Sequence, residues 1–227
     1  MFNFKELIEL WRSDNLLTQA LNDSHVMLES TQEMFRESVG SLRRSDDGEI
    51  KMTVYETDLL VNRYQQEVRK KVLKHLAITG GTNIIPGLIL TSIVIDIERL
   101  GDYTKNIVDL AIAHPRRLEC AIFEDDIVSI ETSAGELFDR AIPAVKETDK
   151  KTAQELIEGY WWILKKCDEI QTQLIQEADP GCTPGTAVTI ALYSRYLKRI
   201  AAHLINILTS VVNPFESISF YRERDDE

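Results

Sequence analysis

Two stretches of the chain lie one hundred positions apart: Asp96-Ile-Glu-Arg-Leu-Gly-Asp-Tyr-Thr-Lys-Asn-Ile107 and Tyr196-Leu-Lys-Arg-Ile-Ala-Ala-His-Leu-Ile-Asn-Ile207. Laid over one another they place Arg99 on Arg199, Asn106 on Asn206 and Ile107 on Ile207, with Ile97 opposite Leu197, Leu100 opposite Ile200 and Gly101 opposite Ala201. In both, the apolar positions recur at steps of three and four, the period of an α-helix buried on one face. A chain that repeats itself at this distance contains two related units, and two helical units of this size pack as one elongated bundle with a pseudo-twofold axis. The expected fold is therefore all-α, two tandem antiparallel three-helix bundles, with residues 1–115 in the first and 116–227 in the second.

Working outward, each unit supplies three stripes. Leu17, Leu21, Leu28, Phe35 and Leu42 mark a long helix from about residue 14 to 44, with Ser13 and Asp14 as capping candidates. Ser45-Asp-Asp-Gly48 interrupts it, and Val54, Asp58, Val61, Gln65, Val68, Val72 and Leu76 carry a second helix that stops before Gly80-Gly81. Pro86 suits the start of a third, which runs to His114-Pro115. In the second half Ile127, Ile130, Ala134, Leu137, Ala141 and Val145 form a fourth stripe, after which Thr148 or Asp149 caps a fifth helix reaching Leu174. The breakers of Asp179-Pro-Gly-Cys-Thr-Pro-Gly185 precede a sixth helix that ends at Asn213-Pro214, and a charged tail closes the chain.

Composition narrows the function. Over 227 residues the formal charge is −11, and the pI is near 4.9. Nucleic-acid affinity rests on Lys and Arg neutralising phosphates, and no basic cluster offsets this acidity, so no nucleic-acid partner is expected. Ten Gly and six Pro are too few for the turns of an all-β domain. The longest nearly apolar run, Ile84 to Ile95, falls short of the roughly 20 residues a membrane-spanning helix needs. The first residues show neither a basic leader nor an export cleavage site, and Cys120, Cys167 and Cys182 make no C-x-x-C pair, which together favour a cytoplasmic protein without a zinc knuckle.

The chemistry concentrates in the first signature stretch. Glu98 and Asp102 stand four apart and project from one helix face, where like charges repel by a few tenths of a kcal/mol unless a cation intervenes. Asp58 occupies a core-facing position of the second helix, costly to bury unpaired, and Asn62 follows one turn later. Carboxylates from two facing helices with an amide nearby make a hard-oxygen set suited to Mg, Mn, Ca or iron. Gly101 costs its helix about 1 kcal/mol relative to Ala, and close approach of another backbone or a ligand is one reason to keep it. Two other readings stay open. One is a di-metal carboxylate enzyme in a bundle core, against which the absence of any Glu-x-x-His on these helices counts. The other is a structural bundle in which Glu98 and Asp102 pair with neighbours such as Arg99 or with lysines and bind nothing.

The run Asp96-x-Glu-Arg-Leu-Gly-Asp-Tyr-x-x-Asn-Ile107 resembles the signature of the PhoU family of phosphate-uptake regulators, and Arg195-Tyr-Leu-Lys-Arg-Ile-Ala-Ala-His-Leu-Ile-Asn-Ile207 is similar to that family's second repeat. The likeness spans residues 14 to 214 or so. It implies metal clusters held on each bundle by paired acids of the form Glu or Asp, three residues, Asp. Glu98 and Asp102 match one such motif in full, whereas Asp58 is followed by Asn62. In the second bundle Lys198 and Ala202 replace the acids, and helix five offers Glu158 with Trp162, so at most one metal site is expected, in the first bundle. Its ion would be iron, zinc, manganese or magnesium, and the degenerate second motif marks a divergent branch. The resemblance further implies a non-enzymatic, cytoplasmic adaptor, peripheral to the inner face of the membrane. Its partners would be phosphate transporter components and/or a membrane sensor kinase, or it would serve as an accessory subunit of a sodium- or proton-coupled phosphate carrier.

Other features carry less. His25, His75, His114 and His203 show no ligand spacing, and the glycine pairs near residues 80 and 181 lack the Lys of a phosphate-cradling loop. Tyr160, Trp161 and Trp162 cannot all face one core, which leaves an aromatic interaction patch. Phe2, Phe4, Leu7, Ile8 and Trp11 form an apolar face suited to docking within a homo-oligomer, a dimer at its simplest.

Overall fold

The computed structural model describes residues 15–45, 53–114, 116–176 and 181–220. Among these every regular element is helical: α1 (Leu16–Arg43), α2 (Thr53–Ile78), α3 (Ile84–Ala113), α4 (Glu124–Lys146), α5 (Lys150–Tyr160), α6 (Trp162–Ile175) and α7 (Pro184–Val212), with short 3₁₀ turns at Ala121–Phe123 and Phe215–Ser217. Helices α1 to α3 pack on one another as the first bundle and α4 to α7 as the second, and the two are joined chiefly by α3 against α7 and by α1 against α4.

Helix ends follow local chemistry. Asn15 caps α1, its side-chain oxygen accepting from the backbone N–H of Leu17 at 2.9 Å and of Thr18 at 3.0 Å; Ser13 and Asp14 lie outside the described residues. Helix α2 stops where Gly80 adopts φ 63°, and the Gly81 N–H returns to the Leu76 carbonyl at 3.0 Å, the six-to-one bond of a Schellman stop. Helix α4 ends the same way, with Asp149 N–H on the Ala144 carbonyl at 2.9 Å, but there the left-handed residue is Thr148 at φ 50°. Asp149 then caps α5 through Lys151 and Thr152 N–H. Pro86 falls in the first turn of α3, where its missing N–H has no intrahelical partner to lose.

The fifth predicted helix is one rod broken at Trp161. The break is a 3₁₀-type bond, Leu164 N–H to Trp161 O at 3.1 Å, two residues after Gly159 and inside the aromatic run. It lets Tyr160 and Trp161 pack on the core while Trp162 stays exposed. The expected N-terminal apolar face, residues 46–48 of the 45–48 break, the start of the 179–185 breaker cluster and the charged end of the tail lie outside the described residues.

The duplication shows itself in contacts between α3 and α7. Tyr103 packs on Tyr196, ring centroids 6.1 Å apart, while His203 Nδ1 lies 2.7 Å from Asp96 Oδ1. Under the hundred-residue shift these are the same contact seen from either side, 103 with 196 and 203 with 96. Tyr103 and His203 stack directly at 5.7 Å, which places the pseudo-twofold axis between them. Arg199 reaches over, its Nε donating to the Tyr103 hydroxyl at 3.2 Å.

Candidate functional site

The predicted acids do come together. The core-facing stripe of α2 turns Asp58 toward α3, where its Oδ1 lies 3.6 Å from where a β-carbon on Gly101 would stand. Asp58 is 6% exposed, and the fold keeps it buried by pairing it. The Lys105 ammonium donates to Asp58 Oδ2 at 2.9 Å and reaches Asp102 Oδ1 at 3.5 Å. Asn62 Nδ2 lies 3.4 Å from the same Asp58 oxygen. Arg99 holds the other oxygen of Asp102 at 2.8 Å and approaches Glu98 Oε2 at 3.7 Å. Three carboxylates thus share two cations of the chain's own.

Charge balance explains the titration. Burial, together with the negative charges of Asp102 and Asp58, pushes Glu98 above the usual carboxylate range, and Arg99 and Lys105 only partly offset them. For Lys105 burial works against the charge, yet its bonds to Asp58 and the charge of Asp102 win, and its pKa is raised. Lys105 is the residue that reading the sequence missed. Its signal was present all the same, since it stands one turn beyond Asp102 on the same helix face.

Whether this set fits the metal that the PhoU resemblance implies is decided by the donors. A divalent ion shared by Asp58 and Asp102 needs an oxygen of each at about 2.0–2.2 Å. Both carboxylates already contact the Lys105 ammonium, Asp102 is further held by Arg99, and Asn62 turns its amide nitrogen to Asp58. Among the described residues no group of three His, Cys, Asp or Glu side chains is arranged to hold a metal ion. In this arrangement the residues do not fit one.

In the second bundle Lys198 stands where the motif would have Glu, and it binds Asp168 of α6 through both oxygens at 2.6 Å. Glu158 accepts from Gln154 at 2.9 Å and takes no part in that pair. Gly101 is also not the tight spot it promised to be, because an added β-carbon would meet only ordinary contacts at 3.6–3.9 Å. The close approach is at Gly87, where a β-carbon would stand 2.9 Å from Val72 Cγ1 of α2.

A second polar cluster, unforeseen in the sequence, binds the two bundles. Arg43, at the end of α1 and nearly buried, donates Nε to Glu131 at 2.7 Å and its terminal nitrogens to Glu124 and the Leu118 carbonyl. The buried Tyr193 hydroxyl of α7 donates to the same Glu131 oxygen at 2.7 Å, and the Cys120 N–H donates to Glu124 at 2.7 Å. Burial raises Glu131 against the pull of Arg43, whereas at Glu124 burial is overcome by the bonds from Arg43 and Cys120, which lower it. Its partners lie 88 and 81 residues from Arg43, so no local spacing betrays the cluster.

Fold and site together define a duplicated three-helix-bundle protein with one signature helix per bundle, the two packed against each other across a pseudo-twofold. The PhoU domain family matches the chain twice, over residues 25–111 and 127–211. The chain belongs to the PhoU family, whose members are regulators of phosphate transport. Its fold is similar to the crystal structure of PhoU from Pseudomonas aeruginosa, with TM-score 0.73 and 18% identity over 92% of this chain and 97% of that one. It is also similar to the phosphate transport system regulatory protein PhoU from Streptococcus pneumoniae, with TM-score 0.74 and 15% identity over 86% and 92%. No curated protein sequence matches the chain at a significant level.

Proposed function

We propose that this chain is a non-enzymatic helical adaptor that controls phosphate transport by contact, binding a transporter component and/or a membrane sensor kinase from the cytoplasmic side. The observation that carries the reading is the double match to the PhoU domain, one copy per bundle. A surface suited to contact supports it. On α3 Ile84, Leu88 and Ile95 are exposed and recur at helical spacing along one stripe, which leads on the same helix to Glu98, Asp102 and Lys105. An apolar strip ending in a charged cluster combines area for burial with a register-fixing polar end. Among the described residues no helix is long and apolar enough to cross a membrane, which is compatible with an adaptor that reaches the membrane through its partner.

The test is capture of partners by the full chain from membranes of cells grown at high and low phosphate. A transporter component or sensor kinase is expected, and Leu88→Asp with Ile95→Asp should lose it while leaving the helical circular dichroism unchanged. Recovery of a sodium- or proton-coupled carrier would reassign the partner. Phosphate uptake and the starvation response indifferent to deletion of the protein would sink the reading.

A further inference from the structure

We infer that Lys105 is a tethered counter-ion occupying the cation position of the first bundle, and that it makes this chain independent of the metal its acidic motif would otherwise bind. Three observations converge. The ammonium contacts Asp58 on one helix and Asp102 on the other, the two carboxylates that a bridging ion would need to share. Arg99 takes the remaining oxygen of Asp102 and the nearest oxygen of Glu98, so no carboxylate faces the cluster without a cation beside it. In the second bundle too the signature helix supplies a lysine to a carboxylate of a facing helix, Lys198 to both oxygens of Asp168, although from the position that Glu98 holds in the first.

The competition favours the lysine. A side chain on the same helix, one turn from Asp102, is presented to the carboxylates at an effective concentration of order millimolar or more, as short flexible tethers are. A divalent ion must therefore displace it, and must also lie beside an expelled ammonium and the Arg99 guanidinium. The cluster holds three acids, Asp58, Glu98 and Asp102, against two bases, which leaves it one negative charge. Adding a dication with both bases in place reverses that sign. Removing Lys105 leaves the cluster two negative charges, which one dication would balance, and frees Asp58 and Asp102 to turn toward it with Glu98 nearby. The inference goes beyond the adaptor reading and neither needs it nor supports it.

The experiment measures metal on the intact chain. Purified wild-type protein is expected to carry no stoichiometric metal by elemental analysis, to show no change in thermal midpoint on dialysis against EDTA, and to bind added Mn²⁺ only weakly by calorimetry. Lys105→Met, which removes the charge without adding a donor, should bind one Mn²⁺ at least about tenfold more tightly than wild type. Lys105→Arg should behave as wild type, and Asp58→Asn in the Lys105→Met background should remove the gain. A wild-type chain that holds about one equivalent of metal and loses stability with EDTA overturns the inference. So does a folded Lys105→Met whose Mn²⁺ affinity is unchanged. If Lys105→Met does not fold, the EDTA response of the wild type decides alone.

Discussion

The molecule has two clusters built from the same chemistry in different settings. At the α2/α3 edge, three carboxylates share Lys105 and Arg99, and every member except Asp58 keeps some contact with solvent. At the seam between bundles, Glu124 and Glu131 both pair with Arg43, whose side chain is 7% exposed. Loss of one cation leaves the edge cluster a second, whereas both ion pairs of the seam run through Arg43. The difference separates a face that tolerates exchange of partners from a clasp that does not, because a charge stranded in a dry site costs far more than the same charge beside water.

The largest expected effect breaks that contrast at the seam. Arg43→Met leaves Glu131 with the Tyr193 hydroxyl as its remaining donor and strands the Leu118 carbonyl, and should cost about 3–5 kcal/mol in urea unfolding. Adding Glu131→Gln should return part of it. Lys105→Met at the edge should cost only about 1–2 kcal/mol, since Asn62 remains as a donor to Asp58. Equal losses at the two sites would erase the distinction.

Acid separates the regions next. Burial, with Lys146 nearby, lowers His25 of α1 from 6.5 to about 4, so the folded state binds fewer protons there than the unfolded chain. Stability from His25 is complete above pH 6.5 and is lost as pH falls through about 4, a loss on the order of 3 kcal/mol. Glu98 has the opposite sign. Its raised pKa favours the folded state at low pH, and that contribution disappears as pH rises through the folded value. Urea midpoints from pH 7 to 4 should fall in the wild type and fall less in His25→Gln; identical slopes would remove His25 from the account.

Two glycines on α3 give the smallest effects and opposite signs. Gly87→Ala forces a β-carbon to within 2.9 Å of Val72, and overpacking of about 1–3 kcal/mol should exceed the helix-propensity gain of about 1 kcal/mol. Gly101→Ala meets no such obstacle and should stabilise by about 0.5–1 kcal/mol, as the Ala201 of the second repeat already suggests. Thermal midpoints of the two variants, read side by side, check both.

The fold was legible because helical period and the hundred-residue self-match report on neighbours along one face, and Asp58, Glu98 and Asp102 were found for the same reason. Lys105 is equally local, one turn beyond Asp102, and pairing of the acids with lysines was one of the readings the spacing left open. The seam could not be read at all, since Arg43, Glu131 and Tyr193 meet only once the bundles dock. The break at Trp161 lies in the aromatic run, whose crowding on one face is legible in sequence while its backbone consequence is not.

Leu118, in the connection between bundles, donates its N–H to the Leu42 carbonyl at 2.8 Å while its own carbonyl accepts from Arg43. The stretch that might have served as a loose joint is stitched to the last turn of α1. Either half expressed alone would lose these bonds and the seam with them, and the intact chain should melt in a single cooperative transition.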